Sequence, residues 1–297
     1  MTELAPPAIP VSIIIPVFND ALGTIRCLRE IANQTYPLDI IEVVVVDNGS
    51  IPPVVIEEVF PFQLIQIRCE IPGSYAARNA GATAASGRVI AFIDADCWPD
   101  EDWLRHGVNA LLATNGKAII GGEVLLAAQT KPGAVAIYQQ ITGFGQESNV
   151  REKSFSVTAN LFCMRQTFEA VGFFETRLLS GGDREWCWRA RYHDIGVNYE
   201  PLALVQTEPR TSLQSAIRQA RRVVAGRKML RELGLTHAGE TALAKSRSSW
   251  QAIVWILSQT DYSCWDRLRV LYVAIVIRLA STWESIRLQF GTTPERR

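Results

Sequence analysis

An α/β fold with a mostly parallel central sheet is what the sequence predicts, and three observations carry that expectation. Four short apolar-rich runs occupy the first third of the chain: VSIIIPV at 11–17, IIEVVVV at 40–46, FQLIQIRC at 62–69 and VIAFI at 89–93. Runs of this length, rich in β-branched residues, suit strands covered on both faces. Helical stretches alternate with them. Residues 20–34 form the first, and YAARNAGATAASG, with Ser74 as cap and Gly87 as stop, forms the second. Finally, the strands leave through polar residues, among them Asn19 and Asp20 after Phe18 at the first, Asp47, Asn48, Gly49 and Ser50 at the second, and Asp94 and Asp96 at the fourth. In open α/β sheets, ligands bind beyond these carboxyl ends.

Asp94 and Asp96 flank Ala95, so on an extended chain both carboxylates share one side. Two such acids are costly unless a positive partner answers them. Hard oxygen ligands suit magnesium or manganese, ions that complete their shells with water and substrate phosphates. The bland alternative is a strand-ending turn, in which aspartate is common. Asp100, Glu101 and Asp102 follow Pro99 and precede Trp103, which places them in the first turn of a helix.

With 297 residues, of which 48% are hydrophobic, the chain can bury a large core. Thirty basic and thirty acidic residues cancel, which removes any whole-molecule argument for a nucleic-acid partner. The six cysteines are scattered without zinc-like spacing, as reduced thiols in a cytoplasmic protein would be. The N-terminal MTELAPPAIP lacks the basic start and the length of a signal peptide. After residue 118 the pattern changes. AIIGGEVLLAA reads as a strand with a glycine kink, 131–153 as irregular, 154–164 and 197–206 as strands, and 184–193 as a helix. The dinucleotide fingerprint G-x-G-x-x-G is absent from the first strand exit, VFNDALG.

The segments IIIPVFN, VVVVDNGS, ARNAG, FIDAD, TANLFCMR, VGFFE and SGGDREWCWR, in this order over residues 11–213, resemble the inverting nucleotide-sugar glycosyltransferases of family 2, whose fold is called GT-A. The resemblance implies a nucleotide-sugar donor bound with Mg2+ or Mn2+. It places Pro16, Phe18, Asn19, Asp47, Arg78, Asp94 and Asp96 around that donor, Asp47 at the nucleobase and Arg78 near the diphosphate. Asp94 and Asp96 would serve nucleotide and metal, and Asp183 would be the catalytic base. It further implies a sugar, glycolipid or other hydroxyl acceptor, a hexosyl-type transfer, and a role in polysaccharide or cell-envelope glycan synthesis. Residues 1–213 would form the catalytic domain and 214–297 a basic, amphipathic helical extension.

Each role has a structural alternative. Asp47 to Ser50 could be a turn, Arg78 a solvated helix charge, Asp183 a helix cap, and Trp186, Trp188 and Arg189 core packing. Two departures from the family pattern stand out. Gly182 occupies a position where an acid often precedes the base, leaving Glu185 as a substitute, and Thr207 occupies that of a histidine metal ligand. Gln219 and Arg222 partly match QxxRW, but Val223 replaces the tryptophan, which argues for non-processive transfer.

Residues 249–257 and 270–277 are each shorter than the roughly 20 residues of a spanning helix. With Arg267, Arg269 and Arg278 about the second run, an interfacial or core-packed helix is expected, and with it peripheral contact at the inner face of the cell membrane. The apolar run into DADC also resembles haloacid-dehalogenase phosphatases, but Trp98 and the mid-chain position oppose that reading. A sugar nucleotidyltransferase would need a basic glycine-rich loop after the first strand, and a non-catalytic scaffold would fit the missing acid and histidine. Donor sugar, nucleobase, acceptor and oligomeric state are not legible in the residues.

Overall fold

The computed structural model describes residues 8–236 and 249–293. Residues 1–7, which carry most of the segment examined for a signal peptide, lie outside the described residues. In chain order the elements begin β1 (Val11–Val17), α1 (Ala21–Ala32), β2 (Ile41–Asp47), β3 (Gln63–Arg68), α2 (Ser74–Ala84), β4 (Val89–Ile93), β5 (Cys97–Pro99) and α3 (Trp103–Ala113). They continue with β6 (Ala118–Leu126), α4 (Ala134–Thr142), α5 (Gln146–Lys153), β7 (Asn160–Met164), α6 (Arg165–Val171), α7 (Gly182–Ala190) and β8 (Gly196–Thr207). Among the described residues three helices follow: α8 (Leu213–Glu232), α9 (Ser249–Leu257) and α10 (Cys264–Gln289).

Two compact units emerge. The first holds residues up to Leu125, Gln146–Thr176 and Gly182–Thr207; the second holds Leu126–Gly145, Arg177–Gly181 and the chain from Glu208 onward. The second unit is thus discontinuous in sequence.

In the first unit the eight strands form one sheet of order β3-β2-β1-β4-β7-β6-β8-β5. β3, β2, β1 and β4 run parallel, and every residue of β2 and β4 is buried, which is why these runs are continuously apolar instead of alternating. β7 then pairs antiparallel with both β4 and β6, and β5 pairs antiparallel with β8.

The join between the two halves depends on Asn160. It stands opposite Ile93, the last residue of β4. Its fully buried amide donates to the carbonyls of Glu123 and Ala203, at 2.7 Å each, and its Oδ1 accepts the Trp103 indole N–H at 2.8 Å. Gly122 makes the approach possible, because a Cβ there would lie 2.2 Å from the Ala203 carbonyl and 2.4 Å from the Asn160 amide nitrogen.

Several local expectations change. Residues 131–153 are not irregular but carry α4 and α5. The sequence QESNVREK of α5 has little apolar periodicity, and what fixes it is burial of Gln146, Asn149 and Val150, with the Gln146 amide donating to Ser156 at 2.9 Å. The strand expected over 154–164 is confined to Asn160–Met164. Ser74 is the first residue of α2 and caps nothing; Gly73 holds the cap position, and the helix ends at Ala84, short of Gly87. Asp100, Glu101 and Asp102 precede α3 instead of forming its first turn. Pairing of Cys97–Pro99 with β8 sets the chain direction, and the Asp102 carboxylate goes to the Thr35 hydroxyl.

In the second unit, two clusters centre on Val135, Ala216 and Val273 and on Ile137, Ile256 and Val270, joining α4, α8, α9 and α10. α10 buries one side and exposes another: Trp265, Leu268, Tyr272, Ile275, Leu279, Trp283, Ile286 and Phe290 recur every three or four residues up to the helix end, all open to solvent. Among the described residues no helix is long and apolar enough to cross a membrane.

Replacing Asn160 by leucine removes three hydrogen bonds and orphans their buried partners, each of which costs about 1–3 kcal/mol. We expect Asn160→Leu to lower the unfolding free energy by at least about 3 kcal/mol, read as an earlier urea midpoint with unchanged slope.

Candidate active site

The exits of β1 and β2 are laced together. Asn19 adopts a left-handed φ of 54°, donates its N–H to the Ser50 hydroxyl at 2.8 Å, and accepts the Ile51 N–H at 2.9 Å. Asp47 is buried; its carboxylate accepts the Ser50 N–H and an Arg68 N–H, both at 2.8 Å. Burial alone would raise its pKa, but the bonds from Ser50, the Val54 N–H and the Arg68 charge prevail and hold it below the usual carboxylate range. Asn48 extends the lacing to the carbonyls of Cys69 and Ile71 and accepts the Gly73 N–H at 2.7 Å, presenting α2. Pro16 is half-buried in β1, and Phe18 is exposed beyond it.

A second group forms where α2, β4 and α7 meet. Arg78 is not a solvated helix charge: it is buried, its Nη2 donates to the Asp94 carboxylate, and its buried Nε has no hydrogen-bond partner. One turn earlier on the same helix, Tyr75 donates its hydroxyl to Asp183 at 3.4 Å and accepts the Gly182 N–H at 2.9 Å. Burial, and then the charge of Asp183, push the Tyr75 phenol upward, so it remains a neutral donor. Asp183 sits in the first turn of α7 and accepts the following Arg184 N–H at 2.9 Å. Burial raises its pKa, and the nearby charge of Asp94 adds to this, against the opposing pull of the Arg184 N–H, Arg78 and Arg184.

Asp96 lies exposed past the end of β4. Its backbone carbonyl accepts the Thr207 hydroxyl at 2.9 Å, so the residue standing at the expected histidine position fastens the DAD turn. Among the described residues no group of three or more His, Cys, Asp or Glu could hold a metal ion by itself.

The structure therefore brings Arg78, Asp94 and Asp183 together, and places Asn19 and Asp47 in the neighbouring loop lacing. Glu185 does not substitute for the missing acid: it is buried and bonded through both oxygens to Arg189, at 2.8 and 2.9 Å. Trp186 and Trp188 are also core residues, their indoles donating to the carbonyls of Gly172 and Lys153. Tyr75 is the functional candidate that the residue pattern alone did not single out, although its place three residues before Arg78 on a helix face offered a signal. Its presence also explains Gly182, where a Cβ would lie 2.7–2.9 Å from the Tyr75 ring.

The sheet order, with acids gathered at the ends of its parallel strands, is that of a GT-A fold. The chain belongs to glycosyl transferase family 2, whose family model matches residues 12–180. The chain is similar to Glycosyltransferase AglE of Haloferax volcanii, at 37% identity over 61% of this chain and 60% of that protein. It is also similar to the pre-mycofactocin glycosyltransferase of Mycobacterium tuberculosis, at 28% identity over 90% of this chain and 56% of that one. The chain thus spans less than two thirds of the length of these curated relatives. Among solved structures, the mannosyltransferase PcManGT from Pyrobaculum calidifontis, in complex with GDP-Man and Mn2+, matches with a TM-score of 0.55 and 19% identity, covering 94% of this chain and 84% of that one.

Because the folded state disfavours ionised Asp183, its share of stability is complete below the unfolded pKa and is lost as pH rises through the raised one. Asp183→Asn is therefore expected to raise the melting temperature at neutral pH, and the gain should vanish below about pH 4. Calorimetry of the two forms across pH checks this.

Proposed function

We propose that this glycosyltransferase moves a sugar, with inversion and without processivity, from a nucleoside-diphosphate donor to a hydroxyl acceptor, with Asp183 as general base. The single observation that carries the proposal is the half-buried Asp183 carboxylate, raised in pKa and bonded to Tyr75 beside the Arg78–Asp94 pair. A base must hold a proton briefly, and a carboxylate whose pKa has been lifted does so better than a free one. Tyr75 orients the carboxylate. The buried Arg78 Nε–H is a donor with no protein acceptor, which suits a diphosphate oxygen, while its Nη2 remains on Asp94. The lacing of Pro16, Phe18, Asn19 and Asp47 would then border the nucleoside.

The acids present fit a shared cation, in which the protein gives one or two carboxylates and the donor diphosphate gives the rest. Asp96, with Asp94 behind it, would hold Mg2+ or Mn2+. When bound, the ion would withdraw negative charge from the departing diphosphate. Because Arg78 already answers Asp94, Asp96 would carry most of that coordination. The acceptor would be a sugar or glycolipid of a polysaccharide or cell-envelope glycan. The exposed apolar stripe of α10, with Arg267, Arg269 and Arg278 on the same helix, supports peripheral contact with the cytoplasmic face of a membrane.

Nucleotide release from a panel of sugar donors tests the reading. Asp183→Asn should lower turnover by about 10³-fold with donor affinity retained. Wild-type kcat/KM should fall on the acid side with an apparent pKa above that of a free aspartate. Tyr75→Phe should cost about ten-fold in kcat and shift that acid limb, a change that lost packing alone would not produce.

Chelation with EDTA should abolish turnover and Mn2+ should restore it, with Asp96→Asn demanding more Mn2+ for half-restoration. Full activity in EDTA would overturn the metal assignment.

A further inference from the structure

α8 carries a glycine, Gly226, well inside a helix of 20 residues. Helix formation does not call for it, since alanine is favoured over glycine at an interior position. Packing does. A Cβ at Gly226 would lie 2.4 Å from the Ser180 carbonyl oxygen and 2.9 Å from both the carbonyl carbon and the Cβ of Ser180. The nearest of these atoms is backbone, which has no rotamer by which to move aside. One turn further along α8, the buried Leu230 reaches the next residue, because a Cβ on Gly181 would lie 3.1 Å from the Leu230 Cδ1. Gly226 and Leu230, four apart and so on one face of the helix, form a seat for Ser180 and Gly181. All four residues belong to the second unit.

The seat has little give. Behind it, α8 is held by α10: Lys228 donates to the Leu288 carbonyl at 2.5 Å, and the buried Glu284 carboxylate takes Arg287 at 2.8 Å and faces Arg221 at 3.9 Å. Upstream, the buried Leu178 fixes the chain two residues before Ser180. Downstream, the Gly182 N–H donates to the Tyr75 hydroxyl at 2.9 Å, so a single residue joins the seat to that bond. That residue is Gly181, with a left-handed φ of 83°. So short a link has few soft dihedrals with which to absorb a displacement, and a shift of Ser180 passes on to Asp183.

We propose that Gly226 is a positioning residue for sugar transfer: its bare backbone seats the Ser180 carbonyl, and that seat sets where the Asp183 carboxylate stands. Its role rests on Asp183 being the general base. An alanine methyl at position 226 must open the contact by roughly 1 Å to reach van der Waals separation. A misplacement of about that size, even from a distant substitution, costs about 10²-fold in rate. The effect travels along the chain and requires no group of α8 at the reacting atoms.

Nucleotide release by Gly226→Ala, from the sugar nucleotide most active in the donor panel, tests the proposal. kcat should fall about 10²-fold while affinity for that nucleotide is retained. The acid limb of kcat/KM should move toward that of a free aspartate, because burial is the main cause of the raised Asp183 value. In an Asp183→Asn background the same substitution should leave the residual rate within about two-fold, since residues that act as a unit are not additive. Val273→Ala, in the buried cluster of α4, α8 and α10, controls for lost stability: at a comparable fall in melting temperature it should keep kcat and the acid limb. Should Gly226→Ala melt below the assay temperature, Leu230→Ala, which empties the seat under Gly181, should lower kcat at least about ten-fold with the same insensitivity in Asp183→Asn. Three results would overturn the proposal: wild-type kcat and acid limb in Gly226→Ala or Leu230→Ala, a full additional loss in the Asp183→Asn background, or an equal fall in kcat for Val273→Ala. With Asp183→Asn itself slow, any of these removes the seat alone, whereas wild-type turnover in Asp183→Asn would remove the base assignment and the seat together.

Discussion

The buried side-chain amide of Asn160 is the constraint on which the rest of the first unit depends. The parallel strands β3, β2, β1 and β4 pair with one another, whereas β7 joins β4, and β6 joins β7, in the antiparallel direction. Asn160 makes the attachment specific by using both donors and its acceptor on Glu123, Ala203 and Trp103. A buried amide that loses even one partner is penalised, so this network admits one register. Its position opposite Ile93 places that register immediately before Asp94. The geometry of the acids is inherited from this tie.

From that fixed edge, the site is assembled by satisfying charges one at a time. Arg78 is buried at the cost of desolvation and is answered by Asp94, yet one donor is left over. Asp183 is answered less completely: its hydrogen bonds are a long one from Tyr75 and the next backbone N–H, and the charges of Arg78 and Arg184 do not offset its burial. The difference matters chemically. A carboxylate that is fully paired, such as Asp47 on Ser50 and Arg68, is held ionised and inert. One that is half-buried and only partly answered, as Asp183 is, retains more of its proton affinity.

The two departures from the family pattern read differently once packing is known. Gly182 provides room for the Tyr75 ring, and Tyr75 supplies the contact to Asp183 that a neighbouring acid would not. Thr207 cannot ligate as an imidazole would, but its hydroxyl anchors the Asp96 carbonyl and so steadies the turn that carries the exposed carboxylate. In both places a residue that looked like a loss in the linear sequence is fitted to its surroundings, Gly182 by the Tyr75 ring and Thr207 by the Asp96 carbonyl. Glu185, the apparent replacement, is instead consumed by Arg189 within the same helix.

The sequence by itself determined the alternating strands and helices of the first half, because continuously buried parallel strands must be written as apolar runs with polar exits. It also determined the acids at those exits and the family to which they belong. It could not determine α5, whose residues show no helical stripe and are helical because Gln146, Asn149 and Val150 are buried by the fold. Nor could it show that Tyr75 meets Asp183 across 108 positions of chain, that Glu185 is spent, or that Gly226 of α8 lies against the Ser180 carbonyl. Those facts depend on which side chains are brought together and on the order in which buried charges find partners, and only tertiary packing sets either.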